Sequence, residues 1–202
     1  MPRCTAVLLP VVALALAGCG SSDDERTEGG VPERWYTAVA DAVAERPGIG
    51  STGLAEMGGP CALRDEVTVA GTEFDDVLEH GVVRLGGDIP AITCTWFEET
   101  SVEVMLARAE DDAQYTAMVE DSGALEQPGN EQTETEVEVE GRTITVVRTE
   151  YPTNPAAGPR LVAHLFDEGA RGRVSLTVST DRLGDGYDEQ SVAADLAGFV
   201  TG

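Results

Sequence analysis

The sequence contains no lysine, and its 13 basic residues, all arginines, stand against 37 acidic ones, which gives a formal net charge of -24 at pH 7. Nucleic-acid binding depends on the neutralisation of phosphates by a basic patch, and this balance of charge does not supply one. The same balance excludes adhesion to anionic lipid headgroups by charge. We therefore expect no nucleic-acid partner, and any contact with a membrane must come from another feature.

Residues that carry common catalytic chemistry are also scarce. The chain has two histidines, His80 and His164, and it has no G-x-S-x-G, H-E-x-x-H or C-x-x-C motif. Nucleophilic hydrolysis needs a serine or cysteine with a histidine base and an orienting acid, and zinc sites need several cysteines or histidines. We expect His80 to lie in a turn and His164 in a strand, neither of them catalytic. The sequence thus predicts a protein that is not an enzyme, with no cofactor and no metal site.

The N-terminus does carry a specific signal. Arg3 precedes an apolar run over residues 6–17, which is typical of a secretory signal peptide and too short for a stable transmembrane helix. The run ends in Leu16-Ala17-Gly18-Cys19, which resembles a lipobox, the site at which lipoproteins are cleaved before cysteine. We expect residues 1–18 to be removed and Cys19 to carry a diacylglycerol and a further acyl chain such as palmitate. The protein would then be lipid-anchored at the extracytoplasmic face of the cell membrane; the alternative is an ordinary secretory peptide.

Composition divides the remaining chain into a tether and a domain. Residues 19–32 follow the signal peptide, and from Gly20 they are rich in glycine, serine and acids without apolar periodicity, so we expect a flexible, lipidated tether. Residues 33–202 are enough for a single domain with its own core.

The cysteines indicate a covalent constraint. Cys4 is lost with the signal peptide and Cys19 is lipidated, so Cys61 and Cys94 are the remaining thiols. In an oxidising compartment two such cysteines most simply form one disulfide. The alternative, a metal or redox pair, is disfavoured by their wide spacing.

Hydrophobic periodicity predicts strands in adjacent pairs between helices. The predicted helices cover residues 33–45, 111–119 and about 192–200, and the predicted strands cover residues 92–97, 101–109, 133–140, 143–150, 161–166 and 173–180. A two-residue Gly141-Arg142 connection suits a type II′ turn. This order predicts an α+β fold, a mainly antiparallel sheet of hairpins with helices packed on one face and one disulfide.

Three patterns resemble ligand sites and have simpler interpretations. Residues 48–53 satisfy G-x-G-x-x-G, but no strand precedes them, so we interpret them as a loop. Glutamates at 134, 136, 138 and 140 alternate along one strand face; such a ladder diverges too much to converge on Ca²⁺ and instead discourages edge pairing. Asp181, Asp185 and Asp188 lack EF-hand spacing and suit a loop that caps the last helix.

The aromatic residues Trp35, Tyr36, Trp96 and Phe97 could line a pocket, but so small an aromatic fraction is usually committed to the core. We expect Trp96 to pack against the disulfide.

Two short motifs carry a family resemblance. Pro60-Cys61-Ala62-Leu63 and Cys94-Thr95-Trp96, with a middle and a C-terminal helix, resemble a set of actinobacterial cell-envelope lipoproteins that share a domain of unknown function. The resemblance covers about residues 55–200. It implies a disulfide between Cys61 and Cys94, an extracytoplasmic location and no established activity.

These observations favour a non-enzymatic, membrane-anchored lipoprotein whose domain binds a small apolar ligand or an envelope component. The alternative is a partner-docking or sensor subunit of a cell-envelope complex. A third hypothesis is an enzyme that uses a pair of carboxylates, but no pair among the 37 acids stands out. The identity of the ligand-binding residues is left open by the sequence.

Overall fold

The structure is a computed structural model, and it describes residues 26–46, 53–97, 101–121, 129–154, 156, 158–180 and 186–202. The helices are α1 (Glu33–Ala44), α2 (Asp112–Glu120) and α3 (Glu189–Thr201). The strands are β1 (Ala55–Glu56), β2 (Val67–Val69), β3 (Thr72–Phe74), β4 (Val77–Arg84), β5 (Pro90–Phe97), β6 (Ser101–Arg108), β7 (Glu131–Val139), β8 (Arg142–Glu150), β9 (Arg160–Asp167) and β10 (Gly172–Ser179).

Eight of these strands form one sheet in the order β1-β4-β5-β6-β10-β9-β8-β7, and β2 and β3 form a separate hairpin. Each neighbouring pair in the sheet is antiparallel. The predicted fold class, an α+β protein with a mainly antiparallel sheet and one disulfide, is confirmed. No helix in the described part of the chain is both long and apolar enough to cross a membrane.

The main core lies between one face of the sheet and the helices α1 and α3. Alternate residues of β5, β6, β8, β9 and β10 point into it, as the period of two requires, and most of them are Val, Leu, Ile or Ala. The ring of Phe199 lies 5.3 Å from that of Trp35 and 6.5 Å from that of Trp96, so the aromatic residues join both helices to β5. The prediction that Trp35, Tyr36 and Trp96 belong to the core is confirmed.

The disulfide between Cys61 and Cys94 lies at the edge of this core, with a Cα separation of 5.8 Å. It joins the segment before β2 to the middle of β5. Closing a loop of 33 residues stabilises the fold by about 3–4 kcal/mol on the chain-entropy estimate.

Helix α2 lies on the opposite face of the sheet. Met118 packs there in a small apolar cluster with Ala91 and Ala107, which alternate along their strands with the core residues Ile92 and Leu106. Asp111 caps the helix by accepting a hydrogen bond from the Gln114 backbone N–H, at 2.8 Å. Two of the helices therefore cover one face of the sheet, whereas α2 covers one end of the other, so the prediction that the helices pack on one face is wrong for α2.

The segment before α1 is not a flexible tether up to Pro32, and this prediction is wrong for residues 26–32. The Arg26 guanidinium donates hydrogen bonds to the carbonyls of Val200, at 2.8 Å, and Thr201, at 3.2 Å, at the C-terminal end of α3. Val31 is fully buried in the core. The cause is long-range packing, which the composition of the segment does not reveal.

Two local predictions are also corrected. His80 lies within β4 and is buried, whereas the sequence pattern indicated a turn. The β7–β8 turn is formed by Glu140 and Gly141, with φ of 51° and 78°, so it is a type I′ turn one residue earlier than predicted.

Candidate binding face

The face of the sheet that α1 and α3 leave uncovered is the candidate functional surface, and we call it the second face. Strand register sets its side chains in rows across the sheet. One row joins Thr93, Met105, Ser175, His164, Thr145 and Glu136, and the next joins Thr95, Glu103, Thr177, Val162, Val147 and Glu134. The second face is thus polar at its centre and acidic toward β7.

A serine and a histidine meet at the centre of the second face. His164 Nδ1 lies 2.9 Å from Ser175 Oγ on the neighbouring strand, and both side chains are buried. The sequence placed His164 in a strand, and this is confirmed. Because the serine hydroxyl and the imidazole satisfy each other within the sheet, we interpret the pair as polar packing and assign it no catalytic role.

Glu103 also lies on the second face, one row away from Ser175. Burial raises its pKa, while Arg160 acts in the opposite direction and lowers it; Glu79 raises it further. A carboxyl with a raised pKa can serve as an acid or base, but catalysis also needs a paired group in reach of the same bond. Glu103 therefore remains a partly buried acid without an assigned reaction.

A groove runs between α2 and the end of the sheet formed by β7, β8 and β9. It consists of two adjoining cavities of about 660 Å³ and 590 Å³. Tyr115, Val119, Glu120 and Glu168 line both cavities of this acidic groove. The smaller cavity is completed by Glu134, Glu136, Thr143, Thr145 and Phe166, and the larger by Asp112, Thr116, Gly169 and Arg171. Tyr115 and Phe166 give it aromatic surface, and Glu120, Glu134, Glu136 and Glu168 give it carboxylates.

The electrostatic character of the groove is strongly negative. Four glutamates line it, and Arg171, which also lines it, is paired with Asp112 at 2.5 Å. Burial, then the nearby Glu168 and Asp167 carboxylates, raise the pKa of Tyr115. The groove can therefore accept cations and hydrogen-bond donors, and it disfavours anions.

The other cavities fit ligands less well. A cavity of about 530 Å³ lies beside the disulfide, and charged side chains of both signs line it, among them Arg34, Asp65 and Glu66. An open cavity of about 170 Å³ beside α2 is mostly apolar, but drug-sized ligands usually occupy about 300–1,000 Å³. In the part of the chain that the structure describes, no group of three His, Cys, Asp or Glu side chains converges as a metal site requires.

Most of the residues that the sequence singled out have structural roles. His80 Nε2 accepts a hydrogen bond from the Ala62 N–H at 3.2 Å, next to the disulfide, and burial and then Arg46 lower its pKa. Asp188 caps α3 by accepting hydrogen bonds from the Ser191 N–H and hydroxyl, as predicted for the end of this loop.

The glutamate ladder lies where the sequence placed it, on one face of a strand. Glu134 and Glu136 line the acidic groove, and Glu138 accepts a hydrogen bond from the Thr143 hydroxyl at 2.5 Å. Glu140 is the exception, because it occupies the turn. The other groove residues, Glu120 and Glu168, carried no sequence signal.

Several predictions lie outside the described residues. They are the signal peptide over residues 1–18, the lipidation of Cys19, the loop over residues 48–52, the side chain of Phe97, and Asp181 and Asp185.

Comparison of the chain with protein-family models, with curated proteins and with solved structures gave no significant match. The resemblance to actinobacterial lipoproteins therefore stays a prediction.

Proposed function

We propose that the chain is an exported lipoprotein, anchored through Cys19 at the extracytoplasmic face of the cell membrane. We propose further that its domain binds a basic polypeptide segment of another envelope component in the acidic groove. The observation that supports this function is the concentration of four glutamates in a groove that Tyr115 and Phe166 also line, on the face that α1 and α3 leave uncovered. Complementary charge gives such a surface its selectivity for partners.

The groove fits a polypeptide better than a small apolar ligand. Apolar-ligand sites are lined mainly by hydrophobic side chains with a few polar groups. Here four carboxylates stand beside the apolar surface of the groove, too many charges for such a site, and the mostly apolar space beside α2 is too small. An extended basic segment can place its cations against the glutamates and its aliphatic stems on Tyr115 and Phe166.

The ordering of residues 26–32 supports a partner close to the membrane. If Cys19 carries the lipid, only residues 20–25 separate it from Arg26, which is fixed to the end of α3. Seven residue steps span at most roughly 25 Å in a fully extended chain. The domain would therefore be held near the membrane surface, where envelope proteins are concentrated.

The anchor is tested by replacing its cysteine. We expect Cys19→Ser to abolish labelling by radioactive palmitate and to shift the protein from the membrane fraction to the soluble fraction. The matched control is Cys4→Ser, which changes a cysteine outside the lipobox and should leave both readouts unchanged. Unaltered labelling and fractionation of Cys19→Ser would contradict the anchor.

The groove is tested by titrating a fluorescent nine-residue peptide of alternating lysine and threonine, with a glutamine-for-lysine peptide as a neutral probe. In the groove variant Glu120, Glu134, Glu136 and Glu168 become glutamine, and in the control variant Glu33, Asp41, Glu73 and Asp75 become amides. We expect the groove variant to bind the basic peptide about tenfold more weakly or worse, since four charge contacts are lost, and the control variant to change little. Equal losses in the two variants would show that only net charge matters and would overturn the proposal.

A further inference from the structure

We infer that the basic segment binds as an additional strand along β7, and that it carries a basic residue at every second position. This inference rests on the proposed function, because it names the form of the partner at the same groove. Three features of β7 support it: its position at the edge of the sheet, the direction of its backbone N–H and C=O groups, and its row of glutamates.

Strand β7 is a long edge strand. It covers nine residues, Glu131–Val139, and β8 is its strand partner within the described part of the chain. The opposite edge of the sheet is β1, which covers only the two residues Ala55–Glu56. An edge of this length presents a row of backbone N–H and C=O groups to which another chain can pair.

The hairpin turn determines which residues of β7 face outward. Val139 and Arg142 flank the two-residue turn, so they form a hydrogen-bonded pair, and such pairs recur at every second residue. Val137 and Thr135 therefore direct their backbone groups toward β8. The backbone groups of Glu134, Glu136 and Glu138 point away from the sheet.

These outward-facing residues are the same ones that form the glutamate ladder. An added antiparallel strand would hydrogen-bond to their backbones and would place every second side chain directly opposite a glutamate on the second face, at a Cα separation of about 5.5 Å. Because side chains on one face of a strand recur with a period of two, basic residues at alternate positions meet all three carboxylates. From there, long basic side chains also reach the groove, which Glu134 and Glu136 line.

A second copy of this chain does not fit the same edge. Antiparallel pairing of β7 with its own copy would bring glutamate opposite glutamate, and like charges in directly opposed positions disfavour pairing. The ladder therefore discourages self-association, as the sequence suggested, and at the same time selects a strand of opposite charge. Both effects come from the row of glutamate charges along β7.

The experiment measures amide hydrogen exchange of the purified chain by NMR. The probe is the alternating lysine-threonine nonapeptide, and its control is an isomer with the five lysines in one block followed by four threonines. With the alternating peptide at saturation, we expect exchange at the amides of Glu134, Glu136 and Glu138 to slow at least about tenfold, as pairing to a strand requires. The block isomer should bind more weakly and leave these amides unprotected.

A pair of variants separates the backbone contact from the charge. Glu136→Pro removes an outward-facing N–H, a position at which an edge strand tolerates proline, and Glu136→Gln removes only the charge. We expect Glu136→Pro to lose at least about tenfold in affinity and Glu136→Gln about two- to threefold. Preserved chemical shifts in the main core would show that the Glu136→Pro variant is folded. If this variant does not fold, the exchange data on the unmodified chain still test the inference.

The outcomes distinguish this inference from the proposed function. If the peptide binds and the four-glutamine groove variant weakens it, but the β7 amides stay unprotected, the added strand is overturned and the groove function stands. If the peptide binds equally well to the groove variant and to the charge control, the proposed function itself fails.

Discussion

Asp167 illustrates how one residue determines the beginning of the folded domain. Its carboxylate is almost fully buried, and it accepts hydrogen bonds from the Thr27 hydroxyl, from the Tyr36 hydroxyl at 3.2 Å and from the Ala170 N–H at 3.1 Å. Burial, and then Asp167 itself, raise the pKa of Tyr36, so the phenol remains a donor at any physiological pH. One acid at the end of β9 thus binds the segment before α1, α1 itself and the β9–β10 turn.

We expect Asp167→Ala to lower the free energy of unfolding by about 2–4 kcal/mol, because it leaves buried donors without an acceptor. The same change should release residues 26–32 from the domain. Urea denaturation measures the stability, and limited digestion with trypsin detects the release as cleavage after Arg26. The control is Glu168→Ala, at the exposed neighbouring residue, which should change neither the free energy of unfolding nor the cleavage after Arg26. Resistance of Arg26 to trypsin in a destabilised Asp167→Ala chain would contradict the release.

His80 makes stability depend on pH. Burial and then Arg46 lower its pKa in the folded state below the usual 6.5, so the unfolded chain binds the proton more readily. The contribution of His80 is therefore complete above about pH 6.5 and is lost as the pH falls below that value toward the folded-state pKa. Protonation of Nε2 would also remove the acceptor of the Ala62 N–H.

We expect His80→Gln to reduce the fall in melting temperature between pH 7.5 and pH 5.5, because an amide oxygen can accept the same hydrogen bond without titrating. Melting curves at several pH values over this range, for both chains, measure the difference. Parallel pH profiles would show that His80 contributes nothing to the dependence.

Among the elements, the β7–β8 hairpin has a glutamate at a turn position that favours asparagine or glycine. Glu140 takes the left-handed conformation that a type I′ turn demands, in which asparagine and glycine are favoured. The sequence places the preferred glycine only at Gly141. The turn is therefore formed at some cost in backbone strain.

We expect Glu140→Asn to raise the free energy of unfolding by about 0.5–1 kcal/mol, since asparagine adopts the left-handed conformation more readily. Gly141→Ala should lower it, because φ is 78° at that position. Urea denaturation of the two variants, compared with the unchanged chain, checks both signs. A loss of stability in Glu140→Asn would mean that Glu140 makes a contact more important than the strain.

The sequence predicted those strands and helices that bury one face, because burial of one face gives the apolar residues a regular spacing along the chain. Six of the long strands and all three described helices were placed close to their true bounds, because apolar residues alternate or recur along them. Strand β4 was missed, since His80-Gly81 reads as a turn. Gly81 is instead required by close packing, because a Cβ there would lie 2.6 Å from the Leu54 side chain.

The candidate site was only partly predictable, for a similar reason. The glutamate ladder is a local pattern with a period of two, so the sequence revealed it. The groove also needs Glu120 from α2 and Glu168 from the end of β9, which only the strand order and the position of α2 bring together. Contacts between residues so distant in the chain leave no short motif.

At the scale of the whole molecule, the two faces of the sheet differ in kind. Helices α1 and α3 and the disulfide close one face, while the other keeps a polar centre and an acidic groove beside a long edge strand. With a net charge of -24, the chain attracts cations from a distance, but such attraction is screened over about 10 Å in 0.1 M salt. Selectivity must therefore come from the groove and the edge, where charge is combined with shape and backbone hydrogen bonds.

Site-specific photo-crosslinking in the native envelope shows whether a basic partner segment occupies the acidic groove. A photoreactive phenylalanine replaces Val119, which lies in the groove and is 38% exposed, or Leu78, which lies on β4 and is 65% exposed. We expect an adduct at position 119 that maps to a basic segment of another envelope protein and disappears in the four-glutamine groove variant, with no such adduct at position 78. Adducts of the same partner at both positions, or an adduct at position 119 that survives in the groove variant, would contradict the proposed function.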